Sequence, residues 1–123
     1  QQIGANPIII CDTGHNEHAL KHIVKQAHEA ANHVHWVLGM AADKEHAKAL
    51  RLFPKTDSFY WTSTRSPRTL AAAALAEIAL SSGYHGTAYS SVEEALQTAV
   101  QHAKADDLIF VGGSTFVVAD LKI

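Results

Sequence analysis

Pro7-Ile8-Ile9-Ile10-Cys11-Asp12-Thr13-Gly14-His15-Asn16 is the stretch from which the rest of the chain is read. Its first half is a short, continuous apolar run with no polar alternation. That is the pattern of a strand buried on both faces, as in a parallel sheet. Its second half turns polar at once and leads into Glu17 to Ala31, where Leu20, Ile23, Val24 and Ala27 recur at three- and four-residue spacing. Such spacing makes an amphipathic helix that lays one face on the sheet.

The same alternation continues along the chain. Val34 to Gly39 (VHWVLG), Ser58 to Thr62 (SFYWT), Gly86 to Tyr89 and Asp107 to Val111 (DLIFV) read as further strands. Helices are predicted between them over Asp43 to Leu52, Thr69 to Leu80 and, from the Ser91-Val92-Glu93-Glu94 capping box, through Ala103. The first of these has an acidic start and Lys48 and Arg51 near its end, which suits the helix dipole. Thr115 to Ile123 is open: its residue types favour strand, whereas Ser114 as an N-cap would start a helix. Gln1 to Ile3, turned by Gly4-Ala5-Asn6, reads as a short antiparallel edge strand. The expectation is therefore an α/β, Rossmann-like, mostly parallel sheet of five to six strands with helices on both faces, in one domain over 1–123.

Composition narrows the function. Hydrophobic residues make up 47% and charged residues 18%, enough apolar material for a core and too little charge for a disordered chain. The net charge of −2, without a basic block, argues against binding a nucleic-acid backbone. No apolar stretch approaches the ~20 residues of a membrane span, and no secretory signal pattern occurs. With Cys11 a lone cysteine inside an apolar run, a cytoplasmic protein with a reduced thiol is expected. Phosphate-loop, dinucleotide-fingerprint, nucleophile-elbow and paired-cysteine motifs are all missing, so no complete catalytic apparatus is legible.

Open parallel sheets gather ligands beyond the carboxyl ends of their strands, and four polar segments fall there. Asp12, His15 and Asn16 follow the first parallel strand; Asn16 also reads simply as a helix cap. Gly39-Met40-Ala41-Ala42-Asp43-Lys44 follows the second, and its lysine could meet a phosphate or carboxylate. Thr62-Ser63-Thr64-Arg65-Ser66-Pro67-Arg68 offers two guanidinium groups and four hydroxyls to an anion. Gly112-Gly113-Ser114 follows the last strand. His15, His18 and His22 stand at helical spacing, but His18 and His22 share a polar face with Lys21 and Lys25, and no metal site is assigned.

These motifs, in this order, resemble the C-terminal domain of the folylpolyglutamate and dihydrofolate synthases, within the wider Mur ligase superfamily. Asp12, His15 and Asn16 match the family's aspartate followed after two residues by His-Asn. Gly39, Met40, Asp43 and Lys44 match Gly-Met-x-x-Asp-Lys; Pro67 and Arg68 match a Pro-Arg pair; and Gly113-Ser114 matches the closing Gly-Ser. Gly14 and Glu17 depart from the commoner alanine and proline.

The resemblance implies an ATP-dependent amide ligase that joins glutamate to folate through an acyl phosphate. ATP and Mg²⁺ would be held mainly by an N-terminal ATPase domain that this chain lacks, so the chain alone is expected to be inactive. Asp12, His15 and Asn16 would touch the nucleotide. Ser63, Arg65, Arg68 and Ser114 would bind substrate, with His15, Lys44 and Ser114 closest to the chemistry. It also implies a helix after Ser114. A Mur-type ligase of cell-wall precursors and a standalone nucleotide- or ligand-binding module are the alternatives.

Overall fold

A computed structural model describes residues 1–121. In chain order the elements are β1 (Gln2–Gly4), β2 (Ile8–Asp12), α1 (Glu17–Ala30), β3 (Val34–Leu38), α2 (His46–Leu50), β4 (Ser58–Thr62), α3 (Ala72–Ser81), β5 (Gly86–Tyr89), α4 (Val92–His102), β6 (Leu108–Gly112) and α5 (Thr115–Asp120). The strands form one sheet in the order β1-β2-β6-β3-β4-β5. Only β1 runs antiparallel to its neighbour; β2 to β5 and β6 are mutually parallel. The five parallel strands and the antiparallel N-terminal edge are those expected.

Side-chain alternation divides the core into two layers. Trp36, Leu38, Phe59, Trp61, Leu108 and Phe110 face α1, α2 and α3. Val37, Tyr60, Ile109 and Val111 point the other way, against Val92, Ala95 and Ala99 of α4 and Val117 of α5. Each fully buried large side chain contributes about 1.5–3 kcal/mol. β3 and β6, buried along their whole length, form the spine.

That arrangement creates a crevice. From β2 to β5 the chain moves in one direction with α1, α2 and α3 on one face, and α4 then returns across the other face to insert β6 beside β2. Helices leaving β2 and β6 therefore diverge to opposite faces, which opens the switch point where such sheets bind ligands. The register sets Asp12, Gly112 and Leu38 on one line across this edge. Gly113, at φ +92, sits where a Cβ would come within 2.8 Å of the Gly39 carbonyl, so only glycine fits the turn.

Two helices are shorter than predicted. The expected helix over Asp43 to Leu52 is confined to His46–Leu50; Asp43 and Lys44 lie in a turn, and Glu45 at the N-cap makes no capping bond. The expected helix from Thr69 starts at Ala72. The reason is an antiparallel bridge between Ala41 and Thr69, flanked by Ala42 N donating to the Arg68 carbonyl and Leu70 N to the Met40 carbonyl, each at 2.8 Å. Backbone groups engaged in that clamp are not available to a helical turn. After Ser114 the chain is helical, as the resemblance implies; of the open Thr115 to Ile123 stretch, Lys122 and Ile123 lie outside the described residues.

Candidate active site

The clamp between residues 40–42 and 68–70 brings two loops together at the crevice. A cleft of about 320 Å³ forms there, lined by His15, Asp43, Lys44, Arg68, Ser114 and Phe116, among others. Four separate strand ends thus deliver His15, Lys44, Arg68 and Ser114 to one place.

Each side chain is set locally. Asp12 Oδ1 accepts from Gly14 N at 2.7 Å, tightening the turn into α1. Asn16 caps that helix, its Oδ1 accepting from Ala19 N at 2.8 Å, so the plain capping reading is realised. His15 Nδ1 lies 3.3 Å from the Thr13 carbonyl. A carbonyl only accepts, so Nδ1 carries the hydrogen and Nε2 is left for a partner. Ser114 is buried, and its hydroxyl caps α5 by accepting from Val117 N at 3.4 Å. The Arg68 guanidinium lies over the Phe116 ring, 5.2 Å from its centroid, which holds the cation at the cleft. Burial lowers the pKa of Lys44 despite the opposing pull of Asp43. Among the described residues neither Lys44 nor Arg68 is in an ion pair.

Not every predicted residue arrives. Arg65 lines a separate cleft of about 220 Å³ with Ser90, Glu93 and Asp120, and its backbone N donates to Asp120 Oδ2 at 2.7 Å. The Ser63 hydroxyl accepts from Ala72 N at 2.9 Å, capping α3 rather than facing the cleft. His18 and His22 are exposed on α1, and among the described residues no His, Cys, Asp or Glu group is arranged to hold a metal ion. Phe116 is the residue that sequence reasoning does not single out. Its role depends on α5 being helical, which residue types alone left open.

The site is thus a cleft at the switch point of a parallel sheet where Lys44 and Arg68 stand beside Asp43, and the chain belongs to the Mur ligase, glutamate ligase domain family, matched over residues 1–115. Among its relatives is the dihydrofolate synthase/folylpolyglutamate synthase of Escherichia coli K12, 33% identical over 97% of this chain. The chain spans 28% of that protein's length. It superposes on the bifunctional folylpolyglutamate synthase/dihydrofolate synthase of Yersinia pestis, complexed with AMPPNP and Mn ion, with TM-score 0.85 and 31% identity, covering 97% of this chain and 28% of that one. A similar structure, of a bifunctional folylpolyglutamate synthase/dihydrofolate synthase with Mn, AMPPNP and L-glutamate bound, gives TM-score 0.84 at 32% identity over 97% of this chain and 29% of that one. No helix among the described residues is long and apolar enough to cross a membrane.

Proposed function

We propose that this domain is the amino-acid-binding wall of a cytoplasmic, ATP-dependent ligase that adds glutamate to a folate-type acceptor. The observation that carries it is the charge pattern of one cleft, in which Lys44 and Arg68 stand beside the carboxylate of Asp43. Glutamate brings two carboxylates and one ammonium, the complement of that set. Arg68 offers a planar fork that a carboxylate can take in bidentate fashion. An anion delivered beside Lys44 reverses the push that burial exerts on its ammonium, so substrate binding and Lys44 charge rise together. The Asp43 carboxylate, next to Lys44 in the chain, is placed to hold the amino group until it is deprotonated for attack.

The acceptor is activated as an acyl phosphate by ATP, with Mg²⁺ held chiefly by an ATPase domain preceding this one. His15 faces the nucleotide with its Nε2, and Asp12, at the end of β2, holds the turn that sets His15 by accepting from Gly14 N. Ser114 sits between the nucleotide side and the amino-acid side. Closure of the two domains excludes water, which protects the activated carboxylate from hydrolysis. A buried, unpaired Cys11 fits a reducing compartment.

Amino-acid selectivity tests the reading. With ATP and a folate-type acceptor fixed, the full-length enzyme should favour L-glutamate over L-alanine and over a diamino acid by about 10²-fold or more in kcat/KM. A diamino acid places a second ammonium against Lys44 or Arg68. Equal or better use of a diamino acid or alanine would instead identify a Mur-type ligase of cell-wall precursors.

A further inference from the structure

The backbone of Arg68 is pinned at both of its polar groups. Its N donates to Ser66 Oγ at 3.2 Å, and its carbonyl accepts from Ala42 N at 2.8 Å. These bonds fix where the side chain begins, not where it ends. Arg68 is exposed, and a free arginine side chain samples many rotamers. Among the described residues no carboxylate forms an ion pair with its guanidinium.

The short helix α5 supplies the missing restraint. Val117 is fully buried against the sheet and the Ser114 hydroxyl caps the helix, so the core sets the orientation of α5. Phe116 and Asp120 stand four residues apart and therefore share a face of that helix. Both meet the loop that carries Arg68. The Arg68 Cζ lies over the Phe116 ring, 5.2 Å from its centroid, and Asp120 Oδ2 accepts from Arg65 N at 2.7 Å. One contact holds the loop backbone; the other holds the far end of the side chain.

A ring suits this task better than an acid. A carboxylate in the place of Phe116 would take the guanidinium's donors and neutralise its charge. The ring face attracts the cation and leaves that charge uncompensated, so Arg68 is held while still open to an anion. Ordering the side chain in advance removes an entropic cost that substrate binding would otherwise meet.

We propose that Phe116 and Asp120 are positioning residues for the incoming amino acid, acting through Arg68, which they hold in the cleft ready for a substrate carboxylate. The proposal rests on the reading of Arg68 as a glutamate-binding group.

Steady-state kinetics of the full-length enzyme, with glutamate varied, test it through paired variants. Phe116→Leu keeps apolar bulk and removes the ring. It should raise the KM for glutamate about two- to fivefold, as expected for loss of an exposed cation–ring contact, and leave the KM for ATP unmoved. Phe116→Tyr, which keeps the ring, should retain the parent KM. Asp120→Ala should raise the KM by a similar factor, whereas Asp120→Asn, which still offers an oxygen to Arg65 N, should not. Partial unfolding would lower the amount of active enzyme and hence the apparent kcat, but not shift KM. In an Arg68→Ala background neither Phe116→Leu nor Asp120→Ala should raise the KM further. A rise that persists without Arg68 would make these residues direct contacts or remote supports and overturn the proposal. An unchanged KM in either Phe116→Leu or Asp120→Ala, with Arg68→Ala still raising it, would overturn the proposal and leave the glutamate-binding reading standing. Indifference of the KM to Arg68→Ala as well would overturn both.

Discussion

His15 lines the cleft without supporting the core. It is exposed, anchored among the described residues by its Nδ1 contact with the Thr13 carbonyl, and truncating it opens no core cavity. His15→Ala in the full-length enzyme should cut ligation by about 10–100-fold, corresponding to roughly 1.4–2.8 kcal/mol of lost stabilisation. Thermal stability should stay within about 0.5 kcal/mol of the parent. A melting temperature that falls in step with activity would make it a structural histidine. His15, Lys44, Arg68 and Ser114 were legible in the sequence because each follows a strand end in a recurrent pattern. Phe116 was not, since nothing in its neighbours reports that a guanidinium will lie over its ring. Arg65 and Ser63 illustrate the converse: being near in sequence to Arg68 put them on the right edge, but their own backbone directions carried them away from its cleft.

At the scale of elements, the apolar runs were enough to locate β3, β4 and β6, because burial on both faces leaves no polar alternation to confuse them. Helix ends were harder. The clamp of Ala41 with Thr69 joins segments far apart in sequence, and no local signal announces it. The place of β6, last in the chain yet central in the sheet, was equally invisible, although its wholly apolar Leu108–Val111 is what a spine strand needs. The Ser91 capping box is half realised: Ser91 Oγ accepts from Glu94 N at 3.1 Å, while the Glu94 carboxylate takes its hydrogen from Ser90. β3 also carries a titration. His35 has a lowered pKa in the fold, from burial chiefly, so the unfolded chain takes up a proton first as pH falls. Its contribution to stability is complete above about pH 6.5 and is lost as pH drops toward the folded value. Asp107, held low by Lys104 N and His35 against the push of burial, is present as a stabiliser above its ordinary pKa and lost as pH falls through its folded one. Melting temperature should therefore decline already between about pH 7 and pH 5, before carboxylates titrate in bulk. His35→Gln should flatten that upper part of the profile; an unchanged slope would show that His35 does not titrate differently on folding.

The whole molecule is one sheet with two unlike edges. Its carboxyl edge carries the cleft in which loops from four strands set two cations beside a carboxylate; its amino edge carries a histidine-lined cleft. The first edge was legible because strand ends in a parallel sheet are where ligands gather, and the amino-edge cleft was not, because it is assembled from strand beginnings and a helix end. The glutamate-binding reading rests on Lys44 and Arg68 acting before the chemical step, as binding groups for an incoming anion. The direct measurement is steady-state kinetics of Arg68→Ala and Lys44→Ala in the full-length enzyme, with glutamate varied and ATP and folate acceptor saturating. Loss of one charge-assisted contact, about 1.5–3 kcal/mol, should raise the KM for glutamate roughly 10- to 150-fold in each variant, with kcat within a few-fold and KM for ATP unmoved. A glutamate KM unchanged in both variants, or a rise confined to the KM for ATP or for the folate acceptor, would contradict the account.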